Sequence, residues 1–239
     1  EMDLFISGLF DAVKKRFEQI GDEKMASSLD EVQRIVKNHY FDLSAYAACF
    51  SESRDDAAQW ERYANRGKGV CLCFRKAMLE KLTGTAISLT KVTYQNDMDD
   101  HPLAEKLFEL LKSRTYLRDA MELKKIVVEV CRNSAAYKHP SFASESEYRL
   151  VVMPSDVKSL QLKPQYHVAR ERIKKYYPLD LNRMCRRGGV KIEDLITEVM
   201  IGPESTQSKP ILRDYLTDHG LKTLAGKISI SDCPLRSKM

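Results

Sequence analysis

The stretch Ala47–Phe74, ACFSESRDDAAQWERYANRGKGVCLCF, limits the fold more than any other part of this chain. Its period changes twice. Ala47–Ser51 is short and mostly apolar, Arg54–Asn65 sets Ala57, Trp60 and Ala64 on one helical side, and Gly67–Phe74 is an apolar run after a glycine turn. A strand, a short helix and a second strand are therefore expected here, with polar groups gathered at the joints. Ser53, with Asp56 three residues on, reads as a helix cap. Ser51 stands where the first strand stops, a position from which a hydroxyl caps free N–H groups or faces a ligand.

At 239 residues with 43% hydrophobic content, the chain can bury a full core, and one domain over residues 1–239 is expected. The sequence opens on Glu1 rather than methionine, so an upstream N-terminal segment is expected to be missing. No apolar run approaches the ~18 residues of a membrane span, and no charged-then-apolar leader opens the chain. The cysteines Cys49, Cys71, Cys73, Cys131, Cys185 and Cys233 form no CxxC pair, and Cys71 and Cys73 would share one strand face. They read as reduced core thiols of a cytoplasmic protein. The histidines lie far apart without ligand spacing, so no metal is expected.

Along the chain, Leu4, Phe5, Leu9, Phe10, Val13, Phe17 and Ile20 predict an amphipathic first helix, and a second follows Ser28 with Val32, Ile35 and Val36 inward. Lys76–Leu82 reads as a helix, Ile87–Tyr94 as a strand, Gln95–Pro102 as a surface loop and Leu103–Arg132 as one or two helices. Pro140, Ser141 and Ser144 mark a loop before a strand over Glu147–Met153. Val168–Lys175 reads as a basic helix or turn, Tyr177–Leu181 as a short extended piece, Thr197–Ile201 as a strand, Lys209–His219 as a helix and Lys227–Ile230 as a last strand. Helices mixed with separated strands, without strict alternation, predict an α+β domain of small antiparallel or mixed sheets with flanking helices. The strands near Ala47–Ser51, Val70–Phe74, Glu147–Val152 and Val199–Ile201 are expected to form the core, with Trp60 buried against Val70 or Leu72.

Two polar constellations stand out. Between Lys163 and Lys191 nine basic residues face two acids, a local balance of +7 in a chain of formal net charge +5. Tyr166, Tyr176 and Tyr177 interleave with Arg170, Lys174, Lys175, Arg186 and Arg187. That pattern fits either a nucleic-acid site, with phosphates on cations and bases on rings, or a solvated basic face. The second constellation is Glu145 and Glu147, two apart at a loop's exit. They are either an acidic pair on one strand face, able to polarise a ribose, or surface acids paired with Lys138 or Arg149.

CFSE at Cys49–Glu52, QWERYAN at Gln59–Asn65, KGVCLCF at Lys68–Phe74, ESEYRLV at Glu145–Val151, YYPLDL at Tyr176–Leu181, EVMIGPE at Glu198–Glu204 and SDCPLR at Ser231–Arg236 resemble, in order, the motifs of a bacterial family. It is known as domain of unknown function 2971. Its members usually begin with a segment carrying a Tyr-His-Tyr-like strand and an Asn-Asp element, and this sequence starts after it. The family arrangement is remotely similar to the ADP-ribosyltransferase superfamily. That resemblance implies an ADP-ribosyltransferase-like fold and a mono-ADP-ribosyltransferase using NAD without metal, a toxin or anti-phage defence effector acting on a nucleic-acid or protein acceptor. It further implies Glu147 as the catalytic carboxylate, Glu145 orienting the acceptor, and Ser51 with Trp60 or Tyr63 shaping the NAD pocket. The first-strand His or Arg of that superfamily has no counterpart here. The alternative is a nucleic-acid-binding module without chemistry, working through residues 163–191.

Overall fold

The computed structural model describes residues 2–43, 45–95, 97–114, 120–169 and 171–235. In chain order, helices α1 (Met2–Gln19) and α2 (Glu23–Leu43) lead to strand β1 (Tyr46–Ser51), α3 (Ala57–Tyr63), β2 (Val70–Phe74) and α4 (Lys76–Lys81). Strands β3 (Ser88–Lys91) and β4 (Thr93–Tyr94), helices α5 (Pro102–Lys112) and α6 (Ala120–Ser134), and strands β5 (Tyr137–Lys138) and β6 (Glu147–Val152) follow. The last third carries β7 (Gln165–Ala169), β8 (Arg172–Tyr176), α7 (Leu181–Gly188), α8 (Ile192–Leu195), β9 (Ile196–Ile201), α9 (Lys209–Asp218), α10 (Lys222–Ala225) and β10 (Ile228–Ile230). The fold is α+β, and the chain divides into two compact units, Glu1–Phe50 with Ala86–Pro178 and Ser51–Thr85 with Leu179–Met239.

The first unit is held by helices. Phe5, Ile6, Leu9, Phe10, Val13 and Phe17 recur on one face of α1 and are buried among residues of α2, α5 and α6. Phe17 packs on Phe108 with ring centroids 4.8 Å apart, and Phe5 on Tyr137 at 5.1 Å. Each fully buried side chain of this size contributes about 1.5–3 kcal/mol over its exposed state. Leu4 and Ile20, grouped with this face by spacing, are exposed instead, since the buried stripe is narrower than the run of apolar residues. Gly21, at φ +74°, turns the chain out of α1: its N–H reaches Glu18, and that of Asp22 reaches Phe17. The Asp22 carboxylate then accepts from the Met25 N–H, which starts α2 ahead of the expected Ser28.

Three small sheets complete this unit: β1–β6–β3, the parallel pair β4–β5, and the antiparallel ribbon β7–β8. The strand expected over Ile87–Tyr94 is split between two of them at buried Val92, whose N–H is taken by the Glu147 carbonyl. Met98 is buried in the helical core, although its acidic surroundings read as a surface loop. The expectation that strands make the core with helices at the edge is therefore corrected, because the large apolar cluster is built almost wholly from helix faces.

In the second unit β9 is the central strand, parallel to β10 and antiparallel to β2. Trp60 of α3 is buried at 3% exposure, and its indole N–H donates to Asp55 at 2.5 Å. Val70 and Leu72 are half-exposed. The helix is shorter than its periodic run because Asp56, not Ser53, caps it, accepting from the Gln59 N–H at 2.9 Å. Only Cys131 and Cys185 are core thiols. All six cysteines are free, but Cys49 is exposed and Cys71, Cys73 and Cys233 are half-buried: strand alternation turns the first three towards thinly covered faces, and Cys233 lies beyond the last strand.

Gly202 closes this unit. Its N–H donates to the Gly69 carbonyl at 3.0 Å and Glu204 donates to that of Gly67 at 3.1 Å, which lays two backbones side by side. A Cβ on Gly202 would stand 2.1 Å from the Gly67 carbonyl oxygen. Gly202→Ala is therefore expected to destabilise this unit by about 2–3 kcal/mol. Gly84→Ala, where an added Cβ meets nothing within 4 Å, should be near neutral. Urea unfolding followed by Trp60 fluorescence measures both.

Candidate functional site

Lys138 of β5 carries its ammonium to two carboxylates, 2.5 Å from Glu145 and 3.4 Å from Glu147. The approach of these groups is set by local chemistry. His139 accepts from the Ser141 N–H, a 3-10 turn over Pro140–Glu145 follows, and Ser146 at φ 43° turns the chain into β6. Glu145 thus ends the turn and Glu147 begins the strand, so they do not share a strand face by alternation as the pairing argument requires. They converge because the left-handed residue between them redirects the backbone.

Arg149, two residues along β6, donates to Glu147 at 2.7 Å and to the Ala135 carbonyl at 2.8 Å. The Glu147 N–H donates to the Tyr94 phenol oxygen at 2.8 Å. Glu145 is 1% and Glu147 6% exposed, so this is a buried cluster of two acids and two bases rather than a surface loop. The Lys138 ammonium also lies 4.9 Å from the Phe142 ring centroid. Although Cys49 of β1 is exposed as a residue, desolvation of its sulfur, and next the Glu147 carboxylate, push its thiol up. Neither Tyr94 nor Cys49 carries a sequence signal for this role, since both arrive through sheet pairing. Lys138 and Arg149 were legible as pairing partners from charge alone.

The remaining transferase candidates lie in the second unit. The Ser51 hydroxyl accepts from the Ser53 N–H at 3.1 Å, a local turn at the end of β1. Tyr63 is exposed at the end of α3. The Asp55 that receives Trp60 also accepts from the Ser231 hydroxyl at 2.6 Å and the Asp232 N–H at 3.1 Å. Burial raises its carboxyl, and those hydrogen bonds outweigh burial and leave it below the usual carboxylate value. Beside it Arg54 forms a fork with Glu198, at 2.5 and 2.7 Å, which holds the Glu198 carboxyl down to about 2. On β2 the Cys71 and Cys73 thiols lie two apart on one strand face, and their interaction lowers Cys71 to about 7 and raises Cys73.

The basic run is divided. The described residues of Val168–Lys175 form no helix: they belong to the ribbon β7–β8, with a turn at Glu171, because Tyr166, Val168, Ile173 and Tyr176 favour strand and pair across it. Lys174 stands opposite His167 and Lys175 opposite Tyr166, so the two lysines face opposite sides. Every residue of β8 is exposed. Tyr177 roots the ribbon, its ring 4.7 Å from that of Tyr46 and 5.3 Å from the Lys175 ammonium. Arg186 and Arg187 are exposed on α7 in the second unit, a helix capped by Asp180. Arg170 lies outside the described residues.

The fold and the cluster thus define an α+β protein with a neutralised, buried four-charge centre. Residues 59–150 match the family model described as "Protein of unknown function (DUF2971)". The match takes in Trp60, Tyr63, Lys138, Glu145, Glu147 and Arg149 but stops short of the ribbon and begins after Ser51. No curated protein and no solved structure matches the chain.

A buried pair broken on one side leaves an uncompensated charge. Lys138→Met should therefore destabilise the chain by about 3–5 kcal/mol, and adding Glu145→Leu should recover part of that loss. Chemical denaturation followed by circular dichroism measures both; equal stability of Lys138→Met and wild type would show that the cluster carries no such constraint.

Proposed function

We propose that this chain binds a polyanion, single-stranded nucleic acid, through the ribbon β7–β8. The observation that supports the reading best is the exposure of every residue of β8: Arg172, Lys174 and Lys175 meet solvent on one strand, flanked by Tyr166 and Tyr176. Arg172 and Lys174, two apart on the face of β8 that also carries Tyr176, are spaced to contact successive phosphates, while Lys175 and Tyr166 offer a cation and a ring on the other face, and rings accept unstacked bases of any identity. Glu171, at the turn with φ 64°, is the acid nearest the loop end. Arg186 and Arg187 offer a further basic surface on α7.

Lys174→Ala with Lys175→Ala should weaken binding to all single strands and flatten the salt dependence by about 0.7 for each phosphate no longer neutralised. Tyr166→Ala should cost about 1–3 kcal/mol of stacking. Fluorescence anisotropy at several salt concentrations reads both. Binding that is unchanged in both variants at low salt removes the ribbon from this role.

A second reading is favoured by the convergence of Glu145 and Glu147 on Lys138: ADP-ribosyl transfer from NAD, with Glu147 steadying an oxocarbenium-like ribose. On this reading a nucleic acid held by the ribbon is the acceptor. Arg149 and Lys138 both bind the Glu147 carboxylate, and the cation of an arriving ribose would have to draw it from them. Glu147→Gln keeps the side chain's size and removes its charge. In variant protein that circular dichroism shows to be folded, it should lower nicotinamide release by about 100-fold or more, while Glu145→Gln spares hydrolysis and lowers transfer to the acceptor. Wild-type protein that releases no nicotinamide, or full activity in Glu147→Gln, removes this reading and leaves the binding role standing.

A further inference from the structure

Strand pairing in the second unit gathers sulfur on one sheet face. Cys71 and Cys73 are two apart on β2 and so point the same way. Across the antiparallel ladder Cys71 stands opposite Met200 and Cys73 opposite Glu198. Directly opposed residues share a face, with Cβ atoms about 4.5–5.5 Å apart, so two thiols and one thioether are neighbours. Side chains two apart along a strand start about 7 Å apart, a span that two cysteine side chains can close on a single ion. Both are half-buried, in contrast to the sealed Cys131 and Cys185.

We propose that Cys71, Cys73 and Met200 form a binding site for a soft monovalent cation, copper(I). Thiolate and thioether sulfur select this ion over harder metals. Glu198, the oxygen donor on the same face, is already held by both arms of the Arg54 fork. Among the described residues no group of three His, Cys, Asp or Glu side chains could hold a metal, so a zinc-type site is not the class on offer. The third donor here is methionine, which binds copper(I) and leaves zinc unsatisfied. Binding forms two copper–sulfur bonds to thiolates and a weaker one to the thioether, and the protons of the two thiols leave to solvent. Neither the copper nor the sulfurs change oxidation state. The Arg54 guanidinium, held on Glu198 opposite Cys73, is the nearby positive charge for the anionic bis-thiolate complex.

The test is an anaerobic competition between the fully reduced chain and the copper(I) chelator bicinchoninate, read by loss of the chelate colour. Wild type should withhold one copper(I) per chain. Cys71→Ser and Cys73→Ser should each weaken it by about 100-fold and Met200→Leu by about tenfold, with Cys185→Ser unchanged. In wild type itself, copper(I) and not zinc should protect Cys71 and Cys73 from alkylation, mapped by mass spectrometry. This second measurement needs no variant to fold. A wild type that withholds no copper(I), a Cys71→Ser/Cys73→Ser protein that withholds as much as wild type, or alkylation of both thiols that copper(I) does not slow, overturns the proposal.

Discussion

The Lys138 ammonium, out of water and between Glu145 and Glu147, constrains the first unit more than any other single group. A buried cation in this position is tolerable only while its carboxylates are in place, and the carboxylates only while Lys138 and Arg149 remain. That mutual dependence specifies geometry more than it adds net stability. It sets the turn Pro140–Glu145, the left-handed Ser146 and the first residue of β6 relative to β5. Through the Glu147 backbone it also reaches Tyr94 and Val92, which ties β4 and the end of β3 to the same point.

The ribbon β7–β8 obeys a different physics. Its charges meet water, so each costs little to hold and none specifies the fold. Val168 and Ile173, both 75% exposed, are paired with each other rather than with a core. Such a ribbon keeps its shape by cross-strand pairing and by the anchor of Tyr177 on Tyr46. A surface element that carries cations and rings without contributing to a core keeps them in contact with water, and this separates it from the inward-turned charges around Lys138.

Much of the architecture was legible in local sequence. Period 3.6 located α1, α5, α6 and α9, and the glycines at Gly67 and Gly202 marked real turns, because helix faces and left-handed or tightly packed glycines follow from steric rules acting over a few residues. The motifs at Tyr176–Leu181 and Ser231–Arg236 fall at joints, where Asp180 caps α7 and Ser231 bonds Asp55. The basic run reads as helix or turn in sequence because its charges obscure the alternation of Tyr166, Val168, Ile173 and Lys175, and strand pairing depends on a partner segment that local period does not reveal.

For the candidate site, the residue types and their charges were determined by the sequence itself: two acids near Lys138 and Arg149, two thiols on one strand face, cations among tyrosines. What tertiary structure alone decided is burial and company. Whether Glu145 meets water or an ammonium depends on the approach of β5, and whether Cys71 has a sulfur opposite it depends on the register of β9, far along the chain. Spacing describes where a side chain can point, but the dielectric around it and the partner it finds come from segments distant in the chain, and those two quantities set the chemistry of an ionisable group.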